Sequence, residues 1–233
     1  MIRLQFILLL TIGVLPFWGY GQVHKDTVGF RAVYELMQRS PDMRPYAYDA
    51  LVMSKGGGAP DTMAVSFFLG KGRMIMKTSE TTLIINGKFR ILLNHVTKEI
   101  YVKYHNSENL PTQTAIPSAD LLLSHIANWE LQSGPAERIL IINTIPPMEI
   151  QRFVIRTDIK TGFSLQVAAL VGNTDTIDSG MSQLVVTSDF KNYRFIEEDY
   201  PGFDEKQYIQ PDGNSYIPIG KYKDYTLTFD KPN

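Results

Sequence analysis

Residues 65–104 read VSFFLGKGRMIMKTSETTLIINGKFRILLNHVTKEIYVKY. Two apolar runs, TTLII and FRILL, flank Asn86-Gly87. Asn-Gly between β-prone runs predicts a hairpin with a two-residue type I′ loop. Ile85 then pairs with Lys88, Ile84 with Phe89, and Thr82 with Ile91. A second turn over His95 to Lys98 sets Leu93 opposite Ile100, Ile91 opposite Val102, and Phe89 opposite Tyr104. Because side chains alternate along a strand, both turns put Ile84, Phe89, Ile91, Leu93, Ile100, Val102 and Tyr104 on one apolar face. Arg90 and Lys103 meet on the other. The agreement of two turns predicts an antiparallel meander with one greasy and one wet face.

The chain on either side continues this pattern. Gly70-Lys71-Gly72 turns the strand of residues 62–69 into RMIMKTS, and Gly56-Gly57-Gly58 with Pro60-Asp61 makes a hairpin tip. That glycine run lacks the G-K-[ST] ending of a phosphate-cradling loop. Upstream, residues 26–39 have helical spacing in Val28, Ala32, Val33, Leu36 and Met37, with Asp26 as N-cap and Ser40-Pro41 as the stop. Pro45 opens the strand YAYDALVMSK. A polar loop after Tyr104 leads to Ser118, the cap of a second predicted helix. On it Leu121, Leu122, His125, Ile126 and Trp129 share a stripe. ERILIINT, EIQRFVIRT, FSLQVAALV and SQLVVTSDF then read as strands; Phe153 and Ile155 share a face, and so do Phe163, Leu165 and Val167. Residues 158–162 (DIKTG) make a turn with glycine for the left-handed position. The chain is loop-rich from about 195, with a turn at Asp212-Gly213-Asn214, and ends in a strand over residues 222–229. The expectation is a mainly β protein with two or three helices, a strongly curved antiparallel sheet forming a half-open barrel, and helices covering its concave face.

Residues 1–21 have the form of a signal peptide. Arg3 precedes an apolar run over residues 6–15, and Gly19-Tyr20-Gly21 offers small residues for cleavage after Gly21. No later stretch is apolar enough to span a bilayer. The chain has no cysteine, which excludes a lipobox, disulfides, cysteine-ligated zinc and a thiol nucleophile. With 23 basic and 24 acidic residues it is nearly neutral, which argues against a nucleic-acid partner. The expected location is periplasmic, in one domain over residues 22–233 with a C-terminal extension from about 195.

The strand, the basic turn, the hairpin around Asn86-Gly87-Lys88, Asn94 four residues before Lys98, and the later D-x-x-T-G turn together resemble the periplasmic lipoprotein carrier family, the LolA/LolB-like half-barrels. The resemblance covers roughly residues 26–190. Ile91 and Leu93 stand where carriers usually have Trp and Tyr, and His95 where Pro is common. The resemblance implies a non-enzymatic carrier or chaperone with acyl chains of lipid or lipoprotein as ligand and envelope proteins as further partners. It also implies helices over the barrel mouth and a basic residue early in the third strand that helps hold a closed state. Arg73 or Lys71 is the candidate for that gating base, although alternation sets Arg73 opposite Met74 and Met76.

Met37, Met43, Met53, Met63, Met74 and Met76 fall in one span, and Met suits surfaces that adapt to varied apolar ligands as well as ordinary cores. The expected lipid cavity takes Met74, Met76 and the face from Ile84 to Tyr104. To these it adds Leu122, Ile126 and Trp129 of the second helix, and Phe153 and Ile155. His95 and His105 read as surface turn residues, and His125 as a partly buried one. Glu197, Glu198, Asp199, Asp204 and Glu205 read as a solvated acidic loop, since their spacing fits no calcium loop. No G-x-S-x-G elbow occurs. No catalytic residue, metal or cofactor is expected. The alternative reading is an accessory module of the envelope, serving secretion or assembly, with the same fold and a filled interior.

Overall fold

The computed structural model describes residues 22–24, 27–38, 44–56, 59–104, 119–146, 148–172 and 184–230. The leader, Asp26, His105 and Ser118 lie outside them. In chain order the elements are β1 (Gln22–His24), α1 (Thr27–Gln38), β2 (Tyr46–Lys55), β3 (Asp61–Gly70), β4 (Arg73–Lys77) and β5 (Thr81–Ile85). β6 (Phe89–Asn94), β7 (Glu99–Tyr104), α2 (Ala119–Leu123), β8 (Ile126–Ser133), β9 (Glu137–Thr144) and β10 (Ile150–Asp158) follow. The last are β11 (Ser164–Val171), β12 (Leu184–Phe195), β13 (Ile209–Asp212), β14 (Ser215–Pro218) and β15 (Thr226–Asp230), with short 3-10 turns from Pro201 onward. Among the described residues the main sheet has the order β1-β8-β9-β10-β11-β12-β2-β3-β4-β5-β6-β7-β15.

Two compact units share this chain. One takes in Met1–Met43, Leu51–Met63 and Thr114–Lys191; the other takes in Arg44–Ala50, Ala64–Gln113 and Asn192–Asn233. In the first, β8 to β11 form a meander under α1. Phe30, Tyr34 and Met37 lie one or two turns apart and are buried. Phe30 meets Trp129 edge to face with ring centroids 6.0 Å apart. Beneath the helix run two cross-strand rows, Trp129–Ile142–Phe153–Ala169 and Leu131–Leu140–Ile155–Val167. The buried stripe is therefore Phe30, Tyr34 and Met37; Ala32, expected on it, is exposed. The aromatic side chains remove far more area from water than Ala32 could, and so decide which side faces the sheet.

The second predicted helix is corrected. Only Ala119–Leu123 is helical, so the described residues hold one long helix and a five-residue one. Ile126 and Trp129 belong to β8. The i, i+3, i+4 spacing was real, but the segment precedes a tight turn closed by Gly134 N–H donating to the Glu137 carbonyl. That turn brings it against the β-branched strand β9, and tertiary pairing outweighs a short helical stripe. A side-chain bond from Asn143 Nδ2 to Asn128 Oδ1 (2.7 Å) spans the pair. The D-x-x-T-G turn forms as expected. Thr161 donates from its backbone and hydroxyl to Asp158 Oδ1, and Gly162 has φ 71°. Those bonds hold the Asp158 carboxyl below its ordinary value.

In the second unit the turn between β6 and β7 has the expected register, with Phe89 opposite Tyr104, Ile91 opposite Val102, and Leu93 opposite Ile100. The turn between β5 and β6 does not. Ile85 pairs with Arg90, Ile84 with Ile91, and Thr82 with Leu93. Asn86 N–H donates to the Phe89 carbonyl, so the loop is Gly87-Lys88. Gly87 does not take a positive φ, so the type I′ turn is absent. Asn86 is buried, and its Oδ1 accepts from the backbone of Lys88 and Phe89 (2.9 and 2.7 Å). Its Nδ2 donates to the Phe203 carbonyl and to Glu205 Oε2 (3.1 and 2.8 Å). An Asn used to tie down another segment cannot also serve as a free turn residue. The pairing shifts by two residues, one full side-chain period, so the faces survive the error. The remaining correction is at the edge: β15 pairs with β7 in parallel, not antiparallel.

Candidate functional site

The meander β3–β7 has two faces. On one, Ile84, Phe89, Ile91, Leu93 and Ile100 have no exposure, and Val102 has almost none. Phe68 and Ile75 extend this face across β3 and β4. It packs against Phe203, Tyr208, Ile209 and Tyr222 of the C-terminal segment. The segment is close-fitted there: a Cβ built on Gly202 would stand 2.9 Å from Ile75 Cδ1 and 2.5 Å from the Tyr200 ring. The Tyr200 ring stacks on Phe68 with centroids 5.1 Å apart. Tyr208 donates to the Gly202 carbonyl (2.9 Å) and packs on Tyr222; burial pushes its phenol well above the ordinary value. Tyr104 belongs to this face by register but stands exposed at its rim, beside Phe89, Tyr216 and Phe229.

Cations ring the covered face. Lys77 lies over Phe68 and Lys88 over Phe89. Arg73 lies 4.8 Å from the Phe203 ring centre and donates to the Glu198 carbonyl. Arg73 is thus on the same side as Ile75 and Ile84 and opposite Met74 and Met76, as alternation indicated. The acidic loop is also not simply solvated. Glu205 accepts from Asn86 and lies 3.8 Å from Lys88, while Asp204 caps the Lys206 N–H.

His95 departs from its reading as a surface turn residue. It is half-buried, with Nε2 2.9 Å from Thr82 Oγ1 and Nδ1 3.0 Å from the Tyr225 hydroxyl, which joins the sheet to the C-terminal segment. Burial, with Lys221 and Lys77 nearby, holds its pKa below the ordinary histidine value. His125 has its Nδ1 2.8 Å from Ser124 Oγ.

The opposite face was expected to be wet and is not. Register places Phe67, Met76, Leu83, Leu92 and Tyr101 in one row across five strands. The first four are half-buried and Tyr101 is exposed. Tyr48 continues it, its ring 5.0 Å from Phe67, and Tyr193 follows at 5.1 Å from Tyr48. Burial raises the Tyr48 and Tyr193 phenols and carries Tyr46 to about 12, so all three stay neutral. A second row is Leu69–Met74–Ile85–Arg90–Lys103. Met74 and Met76 therefore lie back to back with Ile84, not beside it. The sequence signal was the alternation of Leu83, Leu92 and the two methionines, outweighed by Arg90 and Lys103. Those two charges occupy only one row.

The remaining predicted cavity residues are in the first unit. Leu122, Trp129, Phe153 and Ile155 are buried in its core, with Ile126 partly buried against it. They pack with α1, whereas the Ile84 face packs with the C-terminal segment, so each set has its own cover. Among the described residues no three His, Asp or Glu side chains are placed to hold a metal ion, and no helix is long and apolar enough to cross a membrane.

No protein-family model and no curated protein matches the chain. Solved structures do resemble it. An uncharacterised conserved protein from Thermus thermophilus has a TM-score of 0.50 at 8% identity, over 85% of this chain and 99% of that one. A LolA superfamily protein from Nitrosomonas europaea matches at TM-score 0.37 and 10% identity, over 76% and 97%. An outer membrane lipoprotein-sorting protein domain from Vibrio parahaemolyticus matches at 0.35 and 11%, over 78% and 98%. At 8% identity the Thermus thermophilus match shows a likeness of fold alone.

Proposed function

We propose that this chain is a non-enzymatic carrier or chaperone of the periplasm that holds acyl chains of lipid or lipoprotein. The proposal places those chains on the face of Met74, Met76, Leu83 and Leu92. One observation carries the reading: the row Phe67–Met76–Leu83–Leu92–Tyr101 is apolar from end to end, yet the described chain leaves it half open. A sheet face left to water is ordinarily polar, and contiguous apolar surface marks a binding region. Five strands span about 19 Å, room for an extended acyl chain. Each methylene removed from water contributes about 0.8 kcal/mol, so partial cover of one chain suffices for micromolar binding after ordering costs. The two methionines adapt to chains of different length and unsaturation. Export with cleavage after Gly21 belongs to the same proposal.

The test is displacement of a fluorescent apolar probe by palmitate. Leu83→Glu abolishes binding, because it sets a charge in the middle of the row, and Tyr101→Asp at its exposed end weakens it. Ile217→Glu, on the exposed β13–β14 hairpin, leaves it intact. Far-UV circular dichroism establishes that all three variants are folded. Equal binding by all three would refute this site. The second reading, an accessory module of the envelope, draws on the covered Ile84 face, which is filled by the chain itself. Absence of any probe binding by the wild-type protein would favour it.

A further inference from the structure

The Met-bearing face carries its cations, Arg90 and Lys103, at one end and the carboxylate Glu99 at the opposite border. We infer that it selects anionic phospholipid over zwitterionic lipid, with Arg90 and Lys103 receiving the headgroup; this rests on the acyl-chain reading above. Arg90 and Lys103 are direct cross-strand partners on β6 and β7. Like charges placed opposite each other destabilise a sheet, so the pair is a cost that the fold itself does not require. Asp230 answers one of the two: its carboxylate is 2.8 Å from Lys103 Nζ, both side chains being well exposed. Arg90 is exposed and has no carboxylate partner among the described residues. The trio keeps one net positive charge.

Position makes that charge useful. Arg90 directly follows Leu69–Met74–Ile85 in its row, and Leu92 and Tyr101 lie two residues along the strands, about 7 Å away. A lipid whose chain lies along the half-buried row Phe67–Met76–Leu83–Leu92–Tyr101 therefore brings its phosphate within about 7 Å of the guanidinium, whose planar fork matches phosphate oxygens. The other border of the face, Thr81–Asn94–Glu99, carries no cation, so the face has a defined head end. Zwitterionic headgroups carry their own cation to the same place and gain less. Both basic side chains are exposed, so the preference is sensitive to salt.

The experiment measures uptake of a pyrene-labelled lipid from vesicles of phosphatidylglycerol and of phosphatidylcholine, each carrying its own labelled copy. The wild-type protein takes up the anionic lipid about tenfold more strongly at low salt, and the preference shrinks at high salt. Arg90→Gln/Lys103→Gln brings the ratio near unity while still binding the apolar fluorescent probe. A wild-type ratio near unity, or a ratio unchanged in the double variant, with the apolar probe still bound, overturns the headgroup site alone. Loss of the preference on replacing chloride by inorganic phosphate at equal ionic strength would identify a free-anion site and also overturn it. Failure of the wild-type protein to bind either lipid or the apolar probe would overturn the acyl-chain reading on which it rests.

Discussion

The two faces of β3–β7 are nearly equal in apolar content and differ in what lies on them. Ile84, Phe89, Ile91 and Leu93 are sealed by residues 203–222, interlocked ring against ring. Leu83, Leu92, Met74 and Met76 stay half-buried. The same strands thus supply a core on one side and an accessible apolar surface on the other. Surface that a chain covers for itself contributes to stability; surface that it leaves open is available to a ligand.

Substitutions can break that contrast, and the largest effect belongs to the covered face. Leu93→Glu puts an unpaired charge into a sealed site and costs about 3–5 kcal/mol, seen as loss of the urea unfolding midpoint. A folded Leu93→Glu protein that merely lost lipid binding would exchange the roles of the two faces. Phe203→Ala empties the centre of the cover and lowers stability by about 3 kcal/mol, while Leu83→Glu changes the midpoint little. Asn86→Ala leaves the Lys88 and Phe89 N–H groups and the Phe203 carbonyl without their partner and costs about 2 kcal/mol. Arg73→Gln removes the cation over Phe203 and costs about 1 kcal/mol, measured by the same titration.

The smallest effect is a pH dependence. The folded His95 pKa is lowered, first by burial and then by Lys221 and Lys77. The unfolded chain therefore takes up that proton first. The contribution of His95 is complete above about pH 6.5 and is lost as pH falls through the lowered folded value. The thermal midpoint should fall between pH 7.5 and 5, and His95→Asn should flatten this part of the profile.

Much of this contrast was legible in the residues. Alternation placed Ile84, Phe89, Ile91, Leu93, Ile100 and Val102 together, and the Gly162 and Gly72 turns were evident from local chemistry. Three things were not. Asn86 looked like a turn residue because its partners, Phe203 and Glu205, are remote in the chain. Residues 119–133 carry a helical stripe and a strand alternation at once, and only the neighbouring β9 decides between them. The wet face was inferred from Arg90 and Lys103, and two charges in one row hid an apolar row beside them. The first failure comes from contacts more than 100 residues apart in the chain, and the other two from pairing between consecutive strands, which the pattern of a single segment does not report.

The cover of the sealed face also has a place in time. Asn86 meets the Phe203 carbonyl across 117 residues, and Lys98 meets Asp224 across 126. Strands β3 to β7 are therefore complete long before the segment that seals them leaves the ribosome. Until then, Phe89, Ile91 and Leu93 face solvent on an unfinished sheet whose β7 edge is bare, a surface prone to aberrant association. Closing loops of that length before any contact rewards them is slow. A nascent chain stalled before residue 196 would have to be shielded by a holdase. A chain threaded across a membrane amino terminus first could remain unfolded until its last aromatic residues arrived.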